Sequence, residues 1–201
     1  MGRQALPEAK RVWLLGASTG GLEAVVNFLS EVPVNNEVAF VYAQHIAEQQ
    51  IDTVLRIISN QTGWPVKLAE TGQALAAGVV TVISPRFDTR LCKSGRLLRF
   101  DSHWQGHYGP SIDRLAIGIA LLYKHNCGAI IFTGMGDDGE KGCQTTIDRG
   151  GIVWVQDPDS CTAPAMPAAV LRSNKVDFVG TPSQLAGRIR TEVEQMEACS
   201  Q

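Results

Sequence analysis

Strand-length apolar runs alternate with helix-length apolar periodicity from Arg11 to the C-terminus, and this alternation constrains the fold more than any other property of the chain. Strands are expected near 11–16, 38–44, 65–69, 79–83, 128–133 and 151–156, with a short one near 176–179. Helices are expected near 20–31, 47–62, 110–126, 139–149, 163–173 and 181–198. Ile51, Val54, Leu55, Ile57 and Ile58 recur at helical spacing, as do Ile112, Leu115, Ala116, Ile119, Leu122 and Tyr123. Ala129-Ile130-Ile131-Phe132 is apolar without interruption, as suits a central strand covered on both faces. The pattern predicts an α/β domain with a mostly parallel sheet and helices on both faces.

At 201 residues the chain suits a single domain with a full core. A formal charge of −2 argues against a general nucleic-acid binder, which would carry a basic excess. No apolar stretch reaches membrane-spanning length, so no direct membrane insertion is expected. Residues Met1 to Lys10 lack the apolar core of a signal peptide, and Leu6 breaks the myristoylation pattern; a cytoplasmic location is expected. The five cysteines (Cys92, Cys127, Cys143, Cys161 and Cys199) are odd in number and show no C-x-x-C spacing, which favours neither a disulfide framework nor zinc. Cys127 reads as a small core residue, whereas Cys161 falls on a loop that could face a site.

The first unit carries the sharpest local signal. Val12-Trp13-Leu14-Leu15 runs into Gly16-Ala17-Ser18-Thr19-Gly20-Gly21, and a helical pattern follows. Ser18 thus sits in a tight turn between the C-terminal end of a strand and the N-terminal end of a helix, where open α/β sheets bind ligands and helix N–H groups stabilise negative charge. A phosphate-binding turn and a nucleophile both use such a place. The dinucleotide fingerprint needs a middle glycine where Ser18 stands, and an acidic residue about 20 residues on. The second strand ends instead in Gln44-His45, and histidine is the commonest base for activating a serine.

Phe132-Thr133-Gly134-Met135-Gly136-Asp137-Asp138-Gly139 is the second such junction, placed on the same sheet edge. Its glycines let backbone approach a ligand closely. The adjacent carboxylates could begin a metal site, but the nearest further ligand, Glu140, suits the first turn of a helix better; no metal and no cofactor are expected. Ser18, His45 and one of Asp137 and Asp138 would then share one edge, as nucleophile, base and orienting carboxylate. Their chain order differs from those of the well-known triads, which geometry rather than order defines.

Residues 86–92 and 95–100, joined by Lys93-Ser94, depart from the alternation and read as an antiparallel hairpin. Arg86, Arg90, Lys93, Arg96 and Arg99 make it the basic cluster of the chain, either a solvated edge that discourages strand pairing or a docking surface for an acidic partner.

Gly16 to Gly21, Gln44-His45, Pro110-Ser111-Ile112-Asp113 and Thr133 to Gly139 together resemble the catalytic domain of the CheB-type chemotaxis protein-glutamate methylesterases, from about Arg11 to about Ile189. The resemblance implies a doubly wound α/β domain that hydrolyses glutamate γ-methyl esters, and in many members deamidates glutamines, on the cytoplasmic helices of bacterial chemoreceptors. Carried over by position, Ser18 is the nucleophile, His45 the base and Asp138 the orienting carboxylate. Thr19 and the Met135 backbone N–H line the site, the latter as an oxyanion donor. Three places depart from the family's usual pattern: Asp137 stands for Asn, Ile46-Ala47-Glu48 for Met-Pro-Pro, and the run from His103 to Gly109 for an Arg-rich one. His107 in that run is either a replacement contact or a loop histidine. The family's phospho-receiver domain has no room in this chain, so residues 1–10 are expected as a linker remnant or tail, 11–192 as the catalytic domain and 193–201 as a frayed end, with a receiver domain as a partner missing from the chain.

Overall fold

The computed structural model describes residues 9–104, 109–173 and 175–198. The expected alternation is present. The order is β1 (Arg11–Ala17), α1 (Gly21–Glu31), β2 (Val38–Gln44), α2 (Ile51–Thr62), β3 (Val66–Leu68), β4 (Val80–Val82), β5 (Thr89–Leu91), β6 (Leu97–Arg99), α3 (Ile112–Tyr123), β7 (Cys127–Ile131), α4 (Glu140–Asp148), β8 (Ile152–Gln156), α5 (Ala165–Ser173), β9 (Phe178–Gly180) and α6 (Pro182–Ala198). Seven strands form one parallel sheet in the order β3-β4-β2-β1-β7-β8-β9, while β5 and β6 pair antiparallel as a separate ribbon. Where helices were expected from residues 47 and to 126, Glu48–Gln50 and Lys124–Asn126 are 3-10 turns flanking α2 and α3.

Strand periodicity divides the core into two layers. Trp13 and Leu15 point to one face, where α1, α2 and α6 pack through Phe28, Ile58 and Ile189. Val12 and Leu14 point to the other, against Leu115 and Ile119 of α3, Cys143 of α4 and Met166 of α5. Both β1 and β2 are buried along nearly their whole length, which matches their unbroken apolar sequences. Ser111 caps α3 by accepting a hydrogen bond from the Arg114 N–H at 3.3 Å.

The C-terminal end departs from the expected fraying after Glu192. α6 continues through Ala198, because Val193 falls one turn beyond Ile189 and is buried, and Glu192 meets Arg11 at 2.8 Å. Of the expected N-terminal tail, Lys10 is tied to Glu37 at 2.9 Å, while residues 1–8 lie outside the described part.

Trp13 lies against Trp154, ring centroids 4.4 Å apart, and over the backbone of Gly128 on the neighbouring strand. A Cβ at Gly128 would stand 2.3 Å from the Trp13 ring, with no flexible chain end to yield. Gly128→Ala should therefore lower unfolding stability by about 1–3 kcal/mol, the range of core overpacking, as read from the urea midpoint at unchanged slope.

Candidate active site

β1 lies between β2 and β7, so the chain leaves it in opposite directions on its two sides. This is the topological switch point of the sheet, and ligands of open α/β folds bind outside the strand ends there. Register brings the candidates to it. Ala17 pairs with Gln44, so Ser18 and His45 are the next residues on two adjoining parallel strands, and the His45 N–H bonds to the Ala17 carbonyl at 3.1 Å. On the other side Gly16 pairs with Ile131, and the Ser18 N–H bonds to the Thr133 carbonyl at 3.0 Å. The turn after β7 then carries Met135, Asp137 and Asp138 to the same edge.

Asp138 is the carboxylate that meets the histidine: its Oδ2 lies 2.9 Å from His45 Nε2. Both side chains are largely buried, His45 at 7% and Asp138 at 16% exposure. Two backbone N–H groups at the start of α3 hold the same carboxylate, Ile112 N–H at 2.8 Å to Oδ2 and Asp113 N–H at 2.9 Å to Oδ1. Asp137 is exposed and engages the fold through its backbone carbonyl, which accepts from the Glu140 N–H. The ring nitrogen facing the carboxylate is Nε2. A hydrogen bond from this ring to the carboxylate uses Nε2 as its donor, and in that tautomer Nδ1 is the nitrogen with a lone pair to take a proton, the reverse of the serine-protease arrangement.

Around Ser18 the backbone is held on both sides. The Gln44 amide donates to the Ser18 carbonyl at 2.6 Å while its own oxygen accepts from the buried Tyr42 hydroxyl at 2.6 Å. Thr133 Oγ1 lies 2.9 Å from the Thr19 carbonyl and accepts from the Ala163 N–H. Gly134 packs so closely that a Cβ there would fall 2.2 Å from the Met166 sulfur and 2.8 Å from Ser18 Cβ. Gly20, at φ +76°, takes the left-handed conformation that starts α1. Thr19 and Met135 are exposed at the rim, Met135 at 60%, and the Met135 N–H has no acceptor among the described residues.

A cavity of about 350 Å³ opens beside Ser18, lined among others by Leu22, Gln44, Ile46, Thr53 and Val54. Another, of about 280 Å³, lies between the hairpin and α3 and holds none of the candidate residues. Among the described residues, no three His, Cys, Asp or Glu side chains cluster so as to hold a metal ion. Burial pushes the Cys127 and Cys161 thiols up to about 11, so both are protonated at neutral pH. His107 lies outside the described residues.

Sequence reasoning missed two parts of the site. Gln44 was read only as the neighbour of His45, yet it fixes the Ser18 backbone. Asp113 was read as part of a motif without a role, yet its Oδ1 accepts from the Gly139 N–H at 3.0 Å and the Gly142 N–H at 2.7 Å. Burial pushes the Asp113 carboxyl above its ordinary value; Asp138 acts in the same direction, and the N–H groups of Gly142 and Gly139 oppose the shift.

The hairpin arginines are engaged within the fold. Arg86 pairs with Glu48 at 2.8 Å, Arg90 and Arg114 share the buried Asp88, and Arg96 donates to the Gly72 carbonyl. Arg86 and Arg99 lie over the Phe87 ring, and Arg90 over that of Phe100.

The fold is a doubly wound α/β domain whose switch point brings Ser18, His45 and Asp138 to one edge of the sheet. The comparisons give the family. A family model described as CheB methylesterase matches residues 13–189, and the chain belongs to that family. It is 34% identical over 180 residues to a protein-glutamate methylesterase/protein-glutamine glutaminase of Saccharophagus degradans, covering 89% of this chain and 49% of that protein. A Vibrio cholerae protein of the same description is 31% identical over 192 residues, covering 92% of this chain and 53% of that one. The chain thus spans about half the length of the curated relatives it matches. The crystal structure of the Thermotoga maritima CheB methylesterase catalytic domain superposes with a TM-score of 0.84 at 26% identity, covering 90% of this chain and 97% of that one.

Proposed function

We propose that this chain is a serine esterase that hydrolyses glutamate γ-methyl esters, and the corresponding glutamine amides, on the cytoplasmic helices of chemoreceptors. The observation that carries the reading is the 2.9 Å contact of His45 Nε2 with Asp138, on a histidine placed by register beside Ser18. The relatives' descriptions name both activities. Among the described residues no helix is long and apolar enough to cross a membrane, and the reading places the enzyme in the cytoplasm.

Ser18 Oγ attacks the ester carbonyl carbon as His45 Nδ1 takes its proton, and the Asp138 carboxylate stabilises the imidazolium that forms. The tetrahedral oxygen is met by the Met135 N–H, a donor of the kind worth about 10²–10³ in rate, with Thr19 beside it. His45 returns the proton to the leaving methoxide, which departs as methanol. Water, deprotonated by His45, then attacks the acyl-enzyme and releases the glutamate carboxylate and Ser18. With a glutamine substrate the departing group is ammonia. The cavity beside Ser18 accepts the glutamyl side chain among Leu22, Ile46 and Val54. The basic hairpin, joined through Arg86 to Glu48 just beyond His45, attracts the acidic receptor helix towards this edge.

The direct test is release of labelled methanol from methylated receptor membranes, expected for the wild type and absent for Ser18→Ala. Ser18→Ala and His45→Ala should each lower kcat by at least about 10³-fold and the double variant little further, because the two groups act as a unit; additive losses would separate them. Asp138→Asn should cost on the order of 10⁴ in kcat by disturbing the tautomer, whereas Asp137→Asn should stay within about tenfold with a shifted pH–rate profile. Reversing the charges of Lys93 and Arg99 should slow receptor demethylation and flatten its salt dependence without changing hydrolysis of a small soluble ester, since exposed charges act on encounter and are screened over about 8 Å at physiological ionic strength. An equal fall in both reactions would make the hairpin purely structural.

A further inference from the structure

The N-terminus of α4 has no cap of its own. Its N-cap residue is Gly139, which has no side chain, so the first N–H groups of the helix need an acceptor from elsewhere. Asp113, in the first turn of α3, supplies it through the Gly139 and Gly142 N–H groups. The reverse also holds. The start of α3 donates the Ile112 and Asp113 N–H groups to Asp138, the residue that precedes Gly139. Each carboxylate therefore ties down the backbone from which the other projects, although residues 113 and 138 are 25 positions apart.

The packing leaves little slack in this lock. A Cβ at Gly142 would meet Ala116 Cβ at 2.6 Å and the Asp113 backbone at 3.0 Å, so the two helix starts are in direct backbone contact. Asp113 is partly buried and sits in the field of Asp138, an electrostatically unfavourable arrangement for a group needed only as a cap. Gly139 stands at φ +111°, where a side chain is strained and its Cβ would meet Ile131 at 3.0 Å, so α4 takes its cap from Asp113 rather than from its own N-cap residue. What the remote cap adds is a fixed position for Asp138 relative to α3, and through it a fixed direction for His45.

We infer that Asp113 is a positioning residue for the hydrolytic site: by holding the N-terminus of α4 it sets the Asp138 carboxylate against His45 Nε2. It touches no substrate and acts through Asp138. The inference rests on the esterase reading of the same site.

The test compares Asp113→Ala, which removes the acceptor, with Asp113→Asn, whose Oδ1 still accepts both N–H groups. Two measurements are made well below the unfolding temperature: kcat and KM on a short soluble peptide carrying one glutamate γ-methyl ester, and the downfield proton resonance of the His45 Nε2–H bonded to Asp138. Asp113→Ala should lower kcat about 30-fold with KM within about twofold, since a small misplacement of a catalytic group costs rate rather than binding. It should also shift or broaden the downfield resonance. Asp113→Asn should restore the resonance and bring kcat back to within about fivefold of the wild type. If Asp113→Ala leaves kcat within threefold and the resonance in place, the residue is a structural cap and the inference is overturned. Equal losses in both variants overturn it too, since charge and not acceptor geometry would then matter. Should Asp113→Ala fail to fold, Asp113→Glu replaces it: the longer side chain should misplace the helix start and lower kcat like alanine, and wild-type behaviour there overturns the inference. Failure of the esterase reading is distinguishable. The wild type would then show no ester turnover while the resonance still answered to Asp113→Ala and Asp113→Asn, which supports the positioning role on its own.

Discussion

Pairing Ala17 with Gln44 on one side of β1 and Gly16 with Ile131 on the other fixes where three strands stop, and the candidate residues occupy the places just beyond. A parallel sheet buried on both faces tolerates no slip. Moving β1 by one residue would exchange Trp13 and Leu15 with Val12 and Leu14 between layers whose helices are shaped for one set or the other. The large buried aromatics therefore do more than fill space: the Trp13 ring lying over Gly128 locks β1 against β7 in a single register. The alignment of Ser18 with His45 is inherited from that core.

Electrostatics at the edge follow from the same topology. Two helices begin where β7 and the loop before α3 end, and their unpaired N–H groups draw in carboxylates. Asp138 takes two of them and turns its remaining bonding capacity towards a histidine; Asp113 takes two others. The helix starts hold two acidic groups in one small region, where a histidine that gains a proton finds a ready counter-charge. Tyr42 and Gln44 extend the ordered polar contacts into the core beneath Ser18.

Much of this was legible in the sequence because it depends on local pattern. Apolar runs marked the strands, glycines marked the turns at their ends, and the turn chemistry put Ser18, His45 and one of Asp137 and Asp138 on one side of the sheet, the choice of Asp138 being what the family resemblance implies. What was not legible depends on contacts between distant segments. Nothing in Pro110-Ser111-Ile112-Asp113 reveals that Asp113 caps a helix beginning at Glu140. Nor does any spacing state which ring nitrogen of His45 faces the carboxylate, since that follows from the direction in which β2 delivers the ring. The stretch after Glu192 reads as a frayed tail because the polar residues beyond Val193 mask its i, i+4 continuation from Ile189, and the reach of Arg11 to Glu192 links segments far apart in the chain. The hairpin arginines looked free for the same reason: their partners Glu48, Asp88 and the Gly72 carbonyl lie on other segments or point inward.

Among the described residues the ribbon of β5 and β6 shares no strand pairing with the main sheet; outside itself it is tied by a bridge between Ala74 and Arg96 and by backbone bonds of Leu97 with Gly72 and Gln73. It rests on α3 through side chains, at Leu91 against Gly118 and at the Asp88 clamp on Arg90 and Arg114. Mutations on its outer face therefore leave the register of β1, and the alignment it carries, untouched. The ribbon is thus held apart from the strand pairing that aligns Ser18 with His45, so a charge change confined to its outer face has no path through the backbone ladder to that alignment.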